Sequence, residues 1–128
     1  MADDFRPYRP RLGDQVSQQT SLVKGQEARV WELPICFEFD DWVHFQFNFT
    51  PYRNGTSAPS KVLEIWTADF DWMHKHVDGG ILTLAMHPQV IGRAHRVAML
   101  EQFINHCQGQ DSVTFKQMGA VAKNLSYT

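Results

Sequence analysis

His87 is the residue whose type and setting most favour chemistry in this sequence. It follows a short apolar run, residues 81–86, that comes directly after Gly79 and Gly80. Such a run predicts a strand that is buried on both faces of a parallel sheet. The strand is expected to end at Pro88, which has no N–H to donate. Enzymes with an α/β fold place catalytic side chains at the carboxyl ends of parallel strands. Since imidazole exchanges protons near neutral pH, His87 is a candidate general acid, although a structural histidine bonded to a backbone carbonyl is the alternative.

Asp40, Asp41 and Trp42 form the second candidate group. The two carboxylates would orient the imidazole, or a site arginine, through a charged hydrogen bond, or they would simply be turn acids. Trp42 is a candidate substrate contact at the start of an aromatic stretch that extends to Phe49, and such a stretch also fits a core or a subunit contact. The other histidines, at positions 44, 74, 76, 95 and 106, show no spacing that would let them share a metal ion on one helix face.

Composition limits the classes to which the protein can belong. The 128 residues fit one domain, and 43% of them are hydrophobic, which is enough for a core. A net charge of -2 argues against a nucleic-acid partner or an anionic membrane surface. The sequence shows no secretory signal and no apolar run near the roughly 18 residues that span a bilayer. A cytoplasmic location is therefore expected, with Cys36 and Cys107 as reduced, buried thiols.

The elements that must position these residues are predicted from hydrophobic periodicity and from turn residues. Residues 1–27 are polar, which predicts an irregular arm that lies on the surface of the folded domain. Three strands are predicted, at 28–35, 81–86 and 112–115, and three helices, at 57–77, 93–107 and 116–125. Residues 43–49 alternate between apolar and polar types, which fits either an edge strand or an aromatic loop over a pocket.

This order of strands and helices predicts an α/β fold with about three parallel strands and right-handed crossovers. A three-stranded parallel sheet has two open edges and apolar faces that the helices of this chain do not fully cover. The sequence therefore predicts a partial (β/α) barrel over residues 28–128, preceded by the arm. Exposed sheet edges would favour pairing with a missing N-terminal half or with a second copy of the chain.

Residues 84–96, Leu-Ala-Met-His-Pro-Gln-Val-Ile-Gly-Arg-Ala-His-Arg, resemble the polysaccharide deacetylase family, in particular its allantoinase-like and peptidoglycan-deacetylase-like branch. The segments 3–8, 32–34, 40–42 and 113–115 fit the same branch. The resemblance implies the C-terminal half of a barrel that hydrolyses a non-peptide amide or another carbon–nitrogen bond with a divalent metal, zinc- or cobalt-like. It also implies that His87 protonates the leaving amine, and that Asp40-Asp41-Trp42 is the acidic and aromatic segment that supports the site.

The metal-binding and base motifs of that family are an early Asp pair and a His-x-x-x-His, and this sequence contains no His-x-x-x-His. Asp40-Asp41 could be mistaken for the early pair, but its position after Glu32-Leu33-Pro34 favours the later acidic and aromatic motif. The chain alone is therefore expected to bind no cofactor and to be inactive without an N-terminal half, which leaves open whether it is an enzyme in its own right. The alternative is a non-catalytic remnant or an interaction module that pairs with a related full-length protein.

Overall fold

The computed structural model describes residues 5–15, 22–49, 52–54 and 56–125. The helices are α1 (Asp41–Phe45), α2 (Pro59–His76), α3 (Pro88–Ile91), α4 (Ala94–Gln108) and α5 (Met118–Leu125), and a 3-10 helix covers Phe37–Phe39. The strands are β1 (Arg11–Leu12), β2 (Gln26–Glu27), β3 (Phe47–Phe49) and β4 (Tyr52–Asn54). The chain therefore combines helices with strands, as the sequence predicted.

Helices α2 and α4 pack against each other and form the core. Their buried positions recur at steps of three and four residues, which places them on one face of each helix. These positions are Val62, Trp66, Phe70 and Met73 on α2 and Met99, Phe103 and Cys107 on α4. The rings of Trp66 and Phe103 meet edge to face at 5.6 Å between centroids. The helices predicted at 57–77 and 93–107 are thus confirmed, as is the short C-terminal helix.

The segment 81–86 differs most from the prediction. It belongs to no named strand, and it pairs with the rest of the described chain through a single parallel bridge between Asp40 and Ala85. Its residues are partly buried or exposed, and Leu82 and Leu84 pack on the core from one side only. An apolar run favours burial, but a strand also needs neighbouring backbones with which to form hydrogen bonds. Within the described ranges no parallel strand lies beside residues 81–86 to supply them.

Both sheets of the described residues are antiparallel and two-stranded, β1 with β2 and β3 with β4. The predicted strand at 28–35 is wrong, since these residues form no strand and have one bridge in the described chain, the antiparallel bridge of Glu32 with Tyr8. The predicted strand at 112–115 is also wrong, because those residues adopt no regular structure. The alternating stretch 43–49 divides between the end of α1 and β3, because a cap at Asp40 starts a helical turn just before it.

The N-terminal arm is a narrow hairpin in its described part, and residues 1–4 and 16–21 lie outside the described ranges. The bridge between Tyr8 and Glu32 extends this hairpin past the boundary predicted at residue 27. Its strands approach so closely that a Cβ on Gly25 would meet the Leu12 carbonyl oxygen at 2.0 Å. Phe5 fixes the arm to the body, since its ring contacts Phe39 and its carbonyl accepts the N–H of Ile81 at 2.8 Å.

None of the helices in the described ranges is long and apolar enough to cross a bilayer. Cys36 and Cys107 are free thiols, as predicted, although Cys36 is only partly buried. Burial raises the pKa of Cys107 to about 11, with a smaller contribution from the nearby Asp71 carboxylate. The thiol therefore stays protonated in the folded chain at pH values where an exposed cysteine ionises.

We expect Trp66→Phe to lower the free energy of unfolding by about 1–3 kcal/mol. Trp66 is fully buried, and its indole N–H donates to the Glu38 carbonyl oxygen at 2.5 Å, so the smaller ring leaves a void and removes one of the hydrogen bonds to that carbonyl. Trp72→Phe is the matched control on the same helix, because 56% of Trp72 is exposed. Urea denaturation measures both variants, and equal costs would contradict the assigned core.

The free energy of unfolding should fall as the pH rises from 9 to 11, in part because of Cys107. In this window the unfolded thiol, with its ordinary pKa of 9.0, loses its proton, while the folded thiol keeps it until about 11. The raised pKa therefore contributes stability below pH 9 that is lost as pH approaches 11, on the order of 2–3 kcal/mol at most. Cys107→Ala should show a shallower decline in denaturation curves recorded at each pH, and parallel declines would contradict the assignment.

Candidate functional site

Two short helices position the site. Helix α1 begins immediately after Asp40, whose side chain caps it by accepting the Trp42 N–H at 2.9 Å. Helix α3 begins with Pro88 at its first position, directly after His87. The bridge between Asp40 and Ala85 is parallel, so the residues that follow each of them leave it in the same direction. The turns that carry Asp41 and His87 therefore lie side by side at the same end of this bridge.

Asp41 and His87 form the central contact of the site. One carboxylate oxygen of Asp41, Oδ2, accepts the backbone N–H of His87 at 2.9 Å, and the other, Oδ1, lies 2.7 Å from His87 Nδ1. Asp41 is completely buried, and a buried carboxylate is costly unless hydrogen bonds and an opposite charge compensate for its lost water. Since a carboxylate can only accept, this contact makes Nδ1 the donor and leaves Nε2 as the free ring nitrogen.

Asp40 and Trp42 complete the group. Asp40 Oδ1 lies 3.8 Å from His87 Nδ1, beyond a direct hydrogen bond, and its main role in the structure is the cap on α1. The Trp42 ring lies 5.0 Å from the His87 ring between centroids, tilted by 60°. The His87 side chain keeps 38% of its surface exposed. The structure thus brings together all four residues selected from the sequence, and their catalytic and substrate-binding roles stay predictions.

The same group has the composition of a small metal site. One ligand atom from each of Asp40, Asp41 and His87 lies within 4.8 Å of the others. A metal ion would need a lone pair on His87 Nδ1, but that nitrogen carries the proton that satisfies the buried Asp41 carboxylate. The arrangement as it stands is a carboxylate–imidazole pair, and a metal ion bound at Nδ1 would have to displace the proton that lies between Asp41 and His87.

The backbone carbonyl of Glu38 is an anchor that no sequence pattern indicated. Its carbonyl oxygen lies 2.8 Å from His44 Nε2 and also accepts the indole N–H of Trp66, which fixes the 3-10 helix that leads to Asp40. No residue type marks a carbonyl as a target, so sequence inspection could not find it. The aromatic stretch that extends to Phe49 could be a substrate contact or part of the core or of a subunit contact. Phe45 is buried in the core, whereas the side chains of Phe47 and Phe49 lie outside the described part.

We expect Asp41→Asn to reverse the tautomer of His87 while it keeps the local fold. The asparagine oxygen would still accept the His87 backbone N–H, so its amide N–H₂ would face Nδ1 and favour the ring with its proton on Nε2. Two-bond ¹H–¹⁵N spectra of the imidazole report the tautomer directly. The matched control is Asp40→Asn, which should leave the His87 tautomer unchanged, and a switch in both variants would contradict the assigned geometry.

No family model matches the chain. Over 136 residues it is 26% identical to the peptidoglycan deacetylase of Helicobacter pylori (strain ATCC 700392 / 26695), and the match covers 98% of this chain and 46% of that protein. A solved structure of a protein from Mycobacterium smegmatis, assigned to the polysaccharide deacetylases, superposes with a TM-score of 0.70 at 29% identity. That match covers 94% of this chain and 37% of the other.

The chain thus spans less than half the length of each of these two relatives. Both likenesses extend over almost the whole of it, and they agree with the motif around His87. The chain is thus similar to polysaccharide deacetylases over almost its whole length, and it corresponds to part of the length of these two relatives.

Proposed function

We propose that this chain forms the acid-bearing part of a deacetylase active site that hydrolyses a carbon–nitrogen bond in a non-peptide amide. The observation that supports this most directly is the contact between the buried Asp41 carboxylate and His87 Nδ1 at 2.7 Å. It leaves Nε2 of a partly exposed imidazole available for proton transfer. Because the Helicobacter pylori relative is named a peptidoglycan deacetylase, an N-acetylated glycan is the substrate class we propose.

The proposed step is general acid catalysis at the leaving group. Water adds to the amide carbonyl carbon, and as the carbon–nitrogen bond breaks, the protonated His87 ring gives the Nε2 proton to the departing nitrogen. An amine leaves poorly as an anion, so this proton is needed when the bond breaks. Asp41 holds the ring through Nδ1 and through the His87 backbone N–H, and Trp42 lines one side of the imidazole as a substrate contact.

Activation of the attacking water requires groups other than Asp41 and His87. We propose that they belong to the complementary part of the fold, together with a divalent metal, zinc- or cobalt-like, that would polarise the carbonyl and the water. In the complete (β/α) barrel, the segment 81–86 would gain strand neighbours on both sides. The 128-residue chain by itself is then expected to be inactive.

The test uses the natural assembly, obtained by tagging the gene at its own locus and purifying the product with any chain bound to it. This preparation should release acetate from N-acetylated glycan chains. His87→Gln at the same locus should lower kcat by about 10²- to 10⁴-fold, since the glutamine amide cannot act as an acid at neutral pH.

His106→Gln is the matched control, because His106 also contacts an aspartate, Asp71, at 2.6 Å, but in a pair that joins α4 to α2. It should retain full activity. The proposal would be refuted by an active His87→Gln assembly. Efficient acetate release by the 128-residue chain alone would overturn the part of the proposal that concerns a complementary half.

A non-catalytic interaction module is the second candidate function. It is favoured by exposed apolar side chains such as Phe37, Phe115 and Met118, which are 79%, 57% and 53% exposed. Helix α5 also contains no buried residue. Exposed apolar groups of this size commonly mark a surface that another chain or another part of the fold covers.

We expect the isolated chain to self-associate through these exposed apolar side chains. Light scattering during size-exclusion chromatography should give a mass above 14.8 kDa that rises with concentration. Replacing both Phe37 and Phe115 by serine should reduce this association, whereas Thr67→Ser, a small change on a polar side chain of α2, should not. A monomer at every concentration would argue against a covered surface.

A further inference from the structure

Arg96 connects the two short helices that carry the site. Its Nη1 donates to the Val90 carbonyl oxygen at 2.7 Å, and Val90 lies in α3, three residues after His87. Its guanidinium carbon lies 4.6 Å from the centroid of the Phe45 ring, and Phe45 is the last residue of α1, which begins at Asp41. One side chain from α4 therefore contacts both elements whose separation sets the distance between Asp41 and His87.

The chemistry of this contact depends on arginine. A planar guanidinium can lie over an aromatic face while it donates in its own plane to a carbonyl, and a lysine ammonium cannot do both in the same geometry. The Arg96 Nε atom is buried without a hydrogen-bond partner among the described residues. A buried unpaired donor costs free energy, which is consistent with a side chain retained for position rather than for stability.

We infer that Arg96 is a positioning residue that holds Asp41 and His87 in hydrogen-bonding register. It acts through Val90 and Phe45 and does not itself contact the imidazole. Without it, α3 is free to shift relative to α1, and the His87 ring loses its fixed tautomer and orientation. The consequence for catalysis rests on the proposed function, in which His87 transfers a proton.

The test compares Arg96→Met and Arg96→Lys with Arg93→Met in the full 128-residue chain and in the natural assembly. Arg93 is exposed and lies at the start of the same helix, so its replacement controls for the lost charge. In ¹H–¹⁵N spectra, His87 of the parent chain and of Arg93→Met should show one tautomer with the proton on Nδ1. Arg96→Met should show a mixture of tautomers, and Arg96→Lys should lie between them.

In the natural assembly, Arg96→Met should lower kcat by roughly 10- to 100-fold and leave KM nearly unchanged, since a displaced acid slows the chemical step more than binding. A folded Arg96 variant with the parent His87 spectrum would overturn the inference, whatever its activity. If Arg96→Met does not fold, Arg96→Lys gives the same comparison. If the spectrum changes but neither Arg96→Met nor His87→Gln affects turnover, Arg96 holds the pair as inferred and the proposed function is the part that fails.

Discussion

The buried carboxylate of Asp41 is the interaction on which the site depends. It has no contact with water, so the free energy of its desolvation must be offset by the two groups that it accepts from, both of which belong to His87. These two bonds fix the backbone and the ring of one residue at once. A change in the relative position of α1 and α3 would break both bonds and leave an uncompensated buried charge, so the two turns are constrained to move together.

This constraint is maintained by packing that lies behind the site. The parallel bridge at Asp40 and Ala85 aligns the two turns, and the Glu38 carbonyl ties the preceding 3-10 helix to Trp66 in the core. Arg96 reaches the site from α4, which packs on α2 through its buried face. The α2–α4 core therefore serves as the rigid support for a site whose own secondary structure consists of one bridge and two short helices.

The side of residues 81–86 that faces away from the core is much less enclosed. Residues 81–86 lie on the core from one side and have one bridge rather than a ladder among the described residues, and α5 buries none of its side chains. The two relatives are more than twice as long as the part that matches this chain. A parallel sheet is stable when both faces and both neighbours are supplied, and the chain supplies one face here.

Local information in the sequence determined the long helices and the choice of residues for the candidate site. The periodicity around Trp66 and Phe103 depends only on residues a few positions apart, and the motif around His87 and the Asp40-Asp41-Trp42 segment could be read directly. The tertiary structure alone decided that Asp41 pairs with the imidazole while Asp40 caps α1, that the run 81–86 forms no ladder within the described residues, and that Arg96 contacts both short helices. These outcomes depend on contacts between residues far apart in the sequence and on backbone groups that every residue shares, so no local pattern records them.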